Sequence, residues 1–278
     1  MRTMLLGGDR RTLFLAQLFN KNGITDIWGL DLQGIPSADI SRVREADIIV
    51  LPYPCFQGDK LRSPMAASSI DKGELLEMCR GKTVFSGAPS ADFVAEAQKN
   101  GTRVFDYATE ALLKDNAFLT AEGALGIAVS DMPRSVLGSV VLVLGCGRIG
   151  RELACLLEKL GADVTVTAMR QESRLWAETN GFDFIRTDIV GSADLKKYHG
   201  IFNTIPMPIF GEAEIRKTNS DCLLTELASL PGGIDFAAAK ALGRNFVNAQ
   251  GLPGKTSPMS ASEIIYREIM GILKTEEI

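Results

Sequence analysis

Residues 139–150 read Ser-Val-Val-Leu-Val-Leu-Gly-Cys-Gly-Arg-Ile-Gly, and a helical pattern from Arg151 to Leu160 follows at once. An unbroken run of β-branched residues and leucine is the mark of a strand buried on both faces. Its end in Gly145-x-Gly147-x-x-Gly150 predicts a strand, a tight turn and a helix in immediate succession. That context gives the glycines a mechanism for holding a dinucleotide. Gly145 permits the turn, Gly147 lets backbone amides approach a pyrophosphate, and Gly150 lets the helix lie close to the strand. The helix start, with Arg148 and Ile149, offers unpaired N–H groups and the positive end of a helix dipole. Arg148 is a second phosphate candidate. The alternative is a βα turn that merely favours glycine.

The next strand candidate, Asp163-Val-Thr-Val-Thr-Ala168, begins after Gly161 closes the helix. An NAD site usually places Asp or Glu about 20 residues beyond the glycines, against the ribose 2′-hydroxyl. Here the strand runs out into Ala168-Met169-Arg170-Gln171-Glu172-Ser173-Arg174, with no acid at its end. Arg170 is placed beside Met169 to pair with a 2′-phosphate by charge-assisted hydrogen bonds, with Ser173 or Arg174 assisting. The expected cofactor is therefore NADP(H), with NAD the lesser alternative. A solvated arginine at a helix start is the plainer reading of Arg170.

The chain has 278 residues, 46% of them hydrophobic, and a formal net charge of −4. Such a chain can bury one large core or two medium ones, and it has no basic surplus to suggest nucleic acid. No apolar run approaches a membrane span, and the start does not read as a signal peptide. Five cysteines without a C-x-x-C spacing read as reduced, buried thiols of a cytoplasmic protein. No metal-ligand set is apparent.

Strand and helix patterns alternate from end to end, which predicts parallel sheets with crossover helices. The first half offers strands near 3–6, 26–30, 47–51, 83–86 and 103–105, a set that suits a flavodoxin-like order. The second offers strands near 140–144, 164–168, 183–185, 201–204, 223–227 and 245–249. Residues 107–129 read as one continuous helix between them, and 260–275 as a final amphipathic helix. The fold class is thus α/β, two Rossmann-like domains with parallel sheets bridged by a long helix. The expected boundaries are 1–125, joined by the helix of 260–278, and 126–259.

Ligands of open α/β sheets bind beyond the carboxyl ends of the strands. There stand Gly7-Gly8-Asp9-Arg10, Asn203-Thr204-Ile205-Pro206, Ser229-Leu-Pro-Gly232-Gly233 and Gly251-Leu-Pro-Gly-Lys255. Asn203, Thr204, Ile205 and Pro206 are expected beside the nicotinamide. Ser229, Gly232 and Gly233 are candidates for holding a substrate carboxylate, Arg10 and Lys255 for neutralising an acidic substrate, and Asp9 or Ser229 for orienting a ring proton. The last of these segments reads as a loop that its glycines free to close on a ligand. Solvated side chains near turns are the alternative for each cation. His199, the one histidine, precedes a strand and reads as a surface residue away from the cleft. The chemistry then needs little acid/base help, and no residue is assigned as catalytic.

Several stretches together resemble the A subunits of bacterial dipicolinate synthase. They are Gly7-Gly8-Asp9-x-Arg11, Glu122-Gly123-Ala124, Val143-Leu144-Gly145-x-Gly147-Arg148-x-Gly150 and Asn203-Thr204-Ile205-Pro206. Leu227-Ala228-Ser229-x-Pro231-Gly232-Gly233-x-Asp235-Phe236 and Gly251-Leu252-Pro253-Gly254-Lys255 complete the series in the family's order. Cys146 in the glycine loop departs from the pattern, as does Glu226, where Asp is more usual. The resemblance implies NADP-linked oxidation of a dihydrodipicolinate-type ring diacid to dipicolinate, in the branch from the lysine/diaminopimelate pathway. It also implies a partner, the flavoprotein-like B subunit, and a place in the mother cell of a sporulating bacterium. Self-association into a homo-oligomer is expected as well. Rival readings are a 2-hydroxy-acid or amino-acid dehydrogenase, which the absence of a histidine after the last strand disfavours, and a non-catalytic NADP-binding regulatory protein.

Overall fold

The computed structural model describes residues 2–21, 23–30 and 37–277. The chain forms two compact units, Met1–Asp115 with Ser257–Ile278, and Asn116–Thr256. Sequence alone places the junctions at 125/126 and 259/260. The first observed junction falls inside a continuous helix, where no turn residue marks it.

The first unit contains β1 (Arg2–Leu6), α1 (Arg10–Asn20), β2 (Ile24–Trp28), β3 (Ile48–Val50), the short strands β4 (Phe56–Gln57) and β5 (Lys60–Leu61), α2 (Lys72–Met78), β6 (Thr83–Ser86), α3 (Ala91–Lys99) and β7 (Arg103–Asp106). Five strands pair in parallel in the order β2-β1-β3-β6-β7, the flavodoxin-like order, while β4 and β5 make a separate antiparallel hairpin. Sequence gives no sign of this hairpin, because two-residue strands are too short to show a period. Side chains alternate across the sheet: Met4, Leu6, Ile49 and Val84 face one core, Leu5, Ile48, Val50 and Phe85 the other.

The helix α4 (Glu110–Asp131) carries the chain into the second unit, close to the long helix the sequence predicts. There follow β8 (Val140–Leu144), α5 (Arg148–Lys159), β9 (Asp163–Ala168), α6 (Gln171–Thr179), β10 (Asp183–Arg186), β11 (Gly200–Asn203), α7 (Glu212–Lys217), β12 (Leu223–Glu226), α8 (Phe236–Ala241), β13 (Phe246–Asn248) and α9 (Leu252–Thr256). The parallel order is β10-β9-β8-β11-β12-β13, a doubly wound sheet that reverses direction at β8. Both faces are covered: Val141, Val143, Val164 and Val166 on one, Leu142, Leu144, Ile201 and Leu224 on the other. Two-sided burial is why β8 reads as an unbroken apolar run.

The last helix, α10 (Pro258–Thr275), packs on α1 in the first unit. Phe19 and Tyr266 meet edge to face with centroids 5.0 Å apart, and the Ser262 hydroxyl donates to the Arg11 carbonyl at 2.7 Å. Among the described residues no helix is long and apolar enough to cross a membrane.

Residues 252–256 correct one expectation. The stretch that reads as a glycine-freed loop is the helical turn α9, with Leu252, Pro253 and Gly254 buried. It seats against α4 at Gly123, where an added Cβ would stand 2.9 Å from Thr256 Oγ1 and 3.2 Å from Leu252 Cβ. Gly126, one turn on, would meet nothing within 4 Å among the described residues. Gly123→Val should therefore cost about 1–3 kcal/mol by overpacking. Gly126→Ala should stabilise by about 0.5–1 kcal/mol through helix propensity. Urea unfolding midpoints of the two variants, expected to move in opposite directions, check this packing.

Candidate functional site

The glycine loop has the predicted anatomy. Gly145 has φ +105°, and a side chain there would run into the Thr204 hydroxyl and Ile205. A side chain at Gly150 would collide with the Gly145 carbonyl, so α5 can approach β8 only as glycine. Gly147 differs: nothing lies within 4 Å of its added Cβ, and as N-cap of α5 it supplies no side-chain hydrogen bond to the helix start. The start of α5 thus carries neither a capping side chain nor a side chain at Gly147 that would fill the space a phosphate needs. Gly145 N–H donates to Thr167 Oγ1 at 3.1 Å, and Thr204 N–H and Oγ1 both donate to the Leu144 carbonyl, at 2.8 and 2.9 Å. These bonds tie the ends of β8, β9 and β11 together. Cys146 is buried, with its thiol toward the Ser173 carbonyl, and burial raises its pKa.

At the end of β9, Ala168 is buried and no acid stands beside it, while Met169 and Arg170 are exposed. Arg170 is the N-cap of α6 and makes no cap bond through its side chain. The two assistants fare differently. Ser173 is only 8% exposed, and Arg174 is paired with Glu178 one turn along α6 at 2.7 Å.

Across the sheet from this end, Leu144, Asn203 and Glu226 are register partners on the adjacent strands β8, β11 and β12. Asn203, expected beside the nicotinamide, is fully buried and committed to the chain itself. Its Oδ1 accepts from Ile205 N–H at 3.0 Å, and its Nδ2 donates to the Ile205 carbonyl and to both oxygens of Glu226 at 2.8 and 3.0 Å. Glu226 also accepts from the backbone N–H groups of Ala228 and Gly233, each at 2.8 Å, and of Ile234 at 3.0 Å. Gly232 N–H closes a turn onto the Ser229 carbonyl. The carboxylate held by the Gly233 amide is therefore the chain's own, which corrects the expectation that Gly232 and Gly233 bind a substrate acid. Ser229, Thr204, Ile205 and Pro206 remain at least partly exposed. The acid at 226 is visible in sequence; its partners lie up to 23 residues away and are not.

The first unit holds a second polar centre at the carboxyl ends of β1 and β3. Asp9 caps α1 and accepts a two-pronged pair from Arg11, Nε to Oδ1 and Nη2 to Oδ2, both at 2.8 Å. Arg62 Nη1 adds a third bond at 3.1 Å, and Arg11 Nη2 reaches the Tyr53 carbonyl at 2.7 Å. Burial alone would raise the Asp9 carboxyl, but the Arg11 hydrogen bonds and charge, backed by Arg62, hold it well below the usual carboxylate range. Asp9 thus stays ionised and is in no position to trade a ring proton, contrary to the expectation. Gly7, Gly8, Arg11, Thr12, Tyr53 and Tyr107 border a small cavity of about 20 Å³. Arg10 points outward, and the buried cation is its neighbour Arg11, 7% exposed. The helix period contains the signal: Arg11 lies on the face of Leu15 and Phe19, one turn and two turns on.

Lys255 is exposed on α9, and His199 sits at the amino end of β11. There its Nδ1 accepts from Val140 N–H at 2.9 Å and its Nε2 lies 2.7 Å from Arg134. Among the described residues no three His, Cys, Asp or Glu side chains form a metal-holding group.

No family model matches the chain. A curated relative, the A subunit of dipicolinate synthase from Bacillus subtilis (strain 168), is 27% identical over 287 residues, covering 98% of this chain and 96% of the relative. The crystal structure of the corresponding A subunit from Bacillus halodurans superposes with TM-score 0.81 at 24% identity, covering 98% of this chain and 97% of that one. The apo-structure of D-lactate dehydrogenase from Escherichia coli gives TM-score 0.69 at 12% identity, over 100% and 97% of the two chains. The resemblance to dipicolinate synthase that the motifs carry thus extends along the whole chain. The fold is the Rossmann-like one shared with these structures.

The buried ion pair in the first unit has a testable energy. Asp9→Asn leaves Arg11 buried without its counter-charge and should cost about 3–5 kcal/mol at neutral pH. A carboxyl whose folded pKa is depressed contributes fully above its unfolded value, about 3.9, and less as pH falls toward the folded value. The stability gap between the unaltered chain and Asp9→Asn, read by urea unfolding, should be level from about pH 5 to 8 and narrow below about pH 4.

Proposed function

We propose that the chain is an NADP-linked oxidoreductase that forms dipicolinate from a dihydrodipicolinate-type ring diacid, acting with a flavoprotein-like B subunit. The observation that carries the cofactor half of this reading is the loop of 145–150: closed to side chains at Gly145 and Gly150, open at Gly147. The residues fit a dinucleotide. The α5 amides from Arg148 to Gly150 would take the pyrophosphate, and Arg170, at a strand end without an acid, would take a 2′-phosphate. The cofactor, when bound, supplies a hydride acceptor.

The chain's own part is to bind, orient and exclude water. A dihydropyridine ring gives up a hydride and a proton on becoming aromatic, so atoms balance when the proton leaves to solvent. The gain in aromaticity lessens the need for a strong general base. A diacid needs cations, and the first unit sets Arg11 and Arg62 against the single carboxylate of Asp9, a surplus of positive charge beside a cavity. Arg10, Ser229 and Lys255 are the surface groups of this reading. A 2-hydroxy-acid dehydrogenase would need its histidine at the carboxyl end of the sheet; His199 is at the amino end. The family resemblance extends the reading to the mother-cell cytoplasm of a sporulating bacterium and to a homo-oligomer.

Two variants test the cofactor assignment by titration with NADP(H) and NAD(H). Gly147→Val fills the space of the pyrophosphate and should abolish binding of both in a chain that still folds. Arg170→Ala should weaken NADP(H) by about 1.5–3 kcal/mol and leave NAD(H) little changed. Equal losses of the two cofactors would return Arg170 to the solvated surface.

A further inference from the structure

Glu226 is a group that the proposed chemistry does not use. It is 3% exposed, at the carboxyl end of β12, one strand in from the edge strand β13, and makes no ion pair with a cation among the described residues. Every hydrogen bond recorded to it comes from an N–H group. Oε1 takes Asn203 Nδ2 and Ala228 N–H; Oε2 takes Asn203 Nδ2, Gly233 N–H and Ile234 N–H. The Asn203 amide cannot be turned the other way, because its Oδ1 already accepts from Ile205 N–H and its Nδ2 donates to the Ile205 carbonyl. With donors on both oxygens, a carboxylic acid proton has no acceptor to face. The group is a carboxylate, stabilised by N–H dipoles that leave its net charge in place.

Its position gives that charge a use. In a doubly wound sheet the dinucleotide lies across the carboxyl ends at the switch point, which here is β8. Arg170 at the end of β9 marks the side of the ribose phosphate, and the glycine loop marks the pyrophosphate. The other half of the cofactor must then lie on the far side of β8, over the ends of β11 and β12. Glu226 is there, in register with Asn203 and Leu144, and Asn203 links it to the 203–206 segment that abuts Gly145.

We propose that Glu226 is a fixed negative charge under the nicotinamide half of the site that favours the oxidised, cationic ring over the neutral reduced one. This rests on the dinucleotide reading above and deepens it. Hydride transfer adds two electrons and one proton to the ring and removes its positive charge. A buried anion nearby therefore stabilises NADP⁺ relative to NADPH, so the oxidised cofactor is bound in preference and the reduced one is released after turnover, at some cost to the driving force of the hydride step itself. Low dielectric around Glu226 makes the attraction larger than a surface charge would give.

The test is a pair of dissociation constants, for NADP⁺ by calorimetry and NADPH by fluorescence, on the full chain and on Glu226→Gln and Glu226→Asp. Glu226→Gln should lower the preference for NADP⁺ over NADPH by about tenfold or more, while Glu226→Asp, which keeps the charge, should hold it within about threefold. Equal weakening of both cofactors in Glu226→Gln would make Glu226 a loop latch only and overturn the proposal, as would an unchanged ratio. Glutamine puts an NH₂ against backbone donors, so this variant can fail to fold. The unaltered chain decides in that event: NADP⁺ must bind at least as tightly as NADPH, and a clear preference for NADPH overturns the proposal. Failure of the unaltered chain to bind either cofactor would sink the dinucleotide reading itself, whereas binding with an unmoved ratio sinks only the role of Glu226.

Discussion

The close approach of three strand ends around Gly145 governs the second unit. A helix can start within reach of β8 only because Gly150 lacks a Cβ, and the segment after β11 can lie against the loop only because Gly145 lacks one. Thr204 then fastens that segment to Leu144 through two hydrogen bonds, and Thr167 fastens β9 to Gly145. Sequence, turn and sheet order thus converge on one place: the carboxyl ends of the strands, where α5 starts without a capping side chain. Gly147 is the exception that gives the arrangement a use, since its missing side chain meets open space rather than a neighbour.

Each unit also buries a carboxylate near its strand ends, and the two are stabilised by different means. Asp9 is held by two guanidiniums, which leave the neighbourhood positive. Glu226 is held by an amide side chain and three backbone N–H groups, which leave it negative. Removing either would strand groups in a poorly solvated interior, so both shape their loops whatever else they do. The contrast leaves one centre with a surplus of positive charge and the other with a surplus of negative charge.

Much of this is legible in the sequence where the pattern is local. The run of 140–144 and the glycine spacing lead to β8, its turn and α5, because two-sided burial and a tight strand-to-helix turn leave their marks on adjacent residues. The missing acid after β9 is equally plain. What escapes depends on contacts between distant residues. Gly251-Leu-Pro-Gly-Lys255 has the composition of a loop, yet α4 offers it a glycine seat at Gly123, and the segment coils into α9. Asn203 has the strand-end position of a ligand contact, but its side chain turns to a glutamate on the next strand. The choice of Arg10 over Arg11 is avoidable, since the apolar period of α1 puts Arg11 on the inner face.

Turnover tests most directly whether this chain oxidises a dihydrodipicolinate-type diacid with NADP⁺. The purified chain is mixed with freshly generated dihydrodipicolinate and NADP⁺, with and without the B subunit, while NADPH and dipicolinate are followed by absorbance. The two products should rise together in equal amounts, and omission of the chain or of NADP⁺ should stop both. Dipicolinate formation without matching NADPH, or none in the complete mixture, would contradict the oxidoreductase reading.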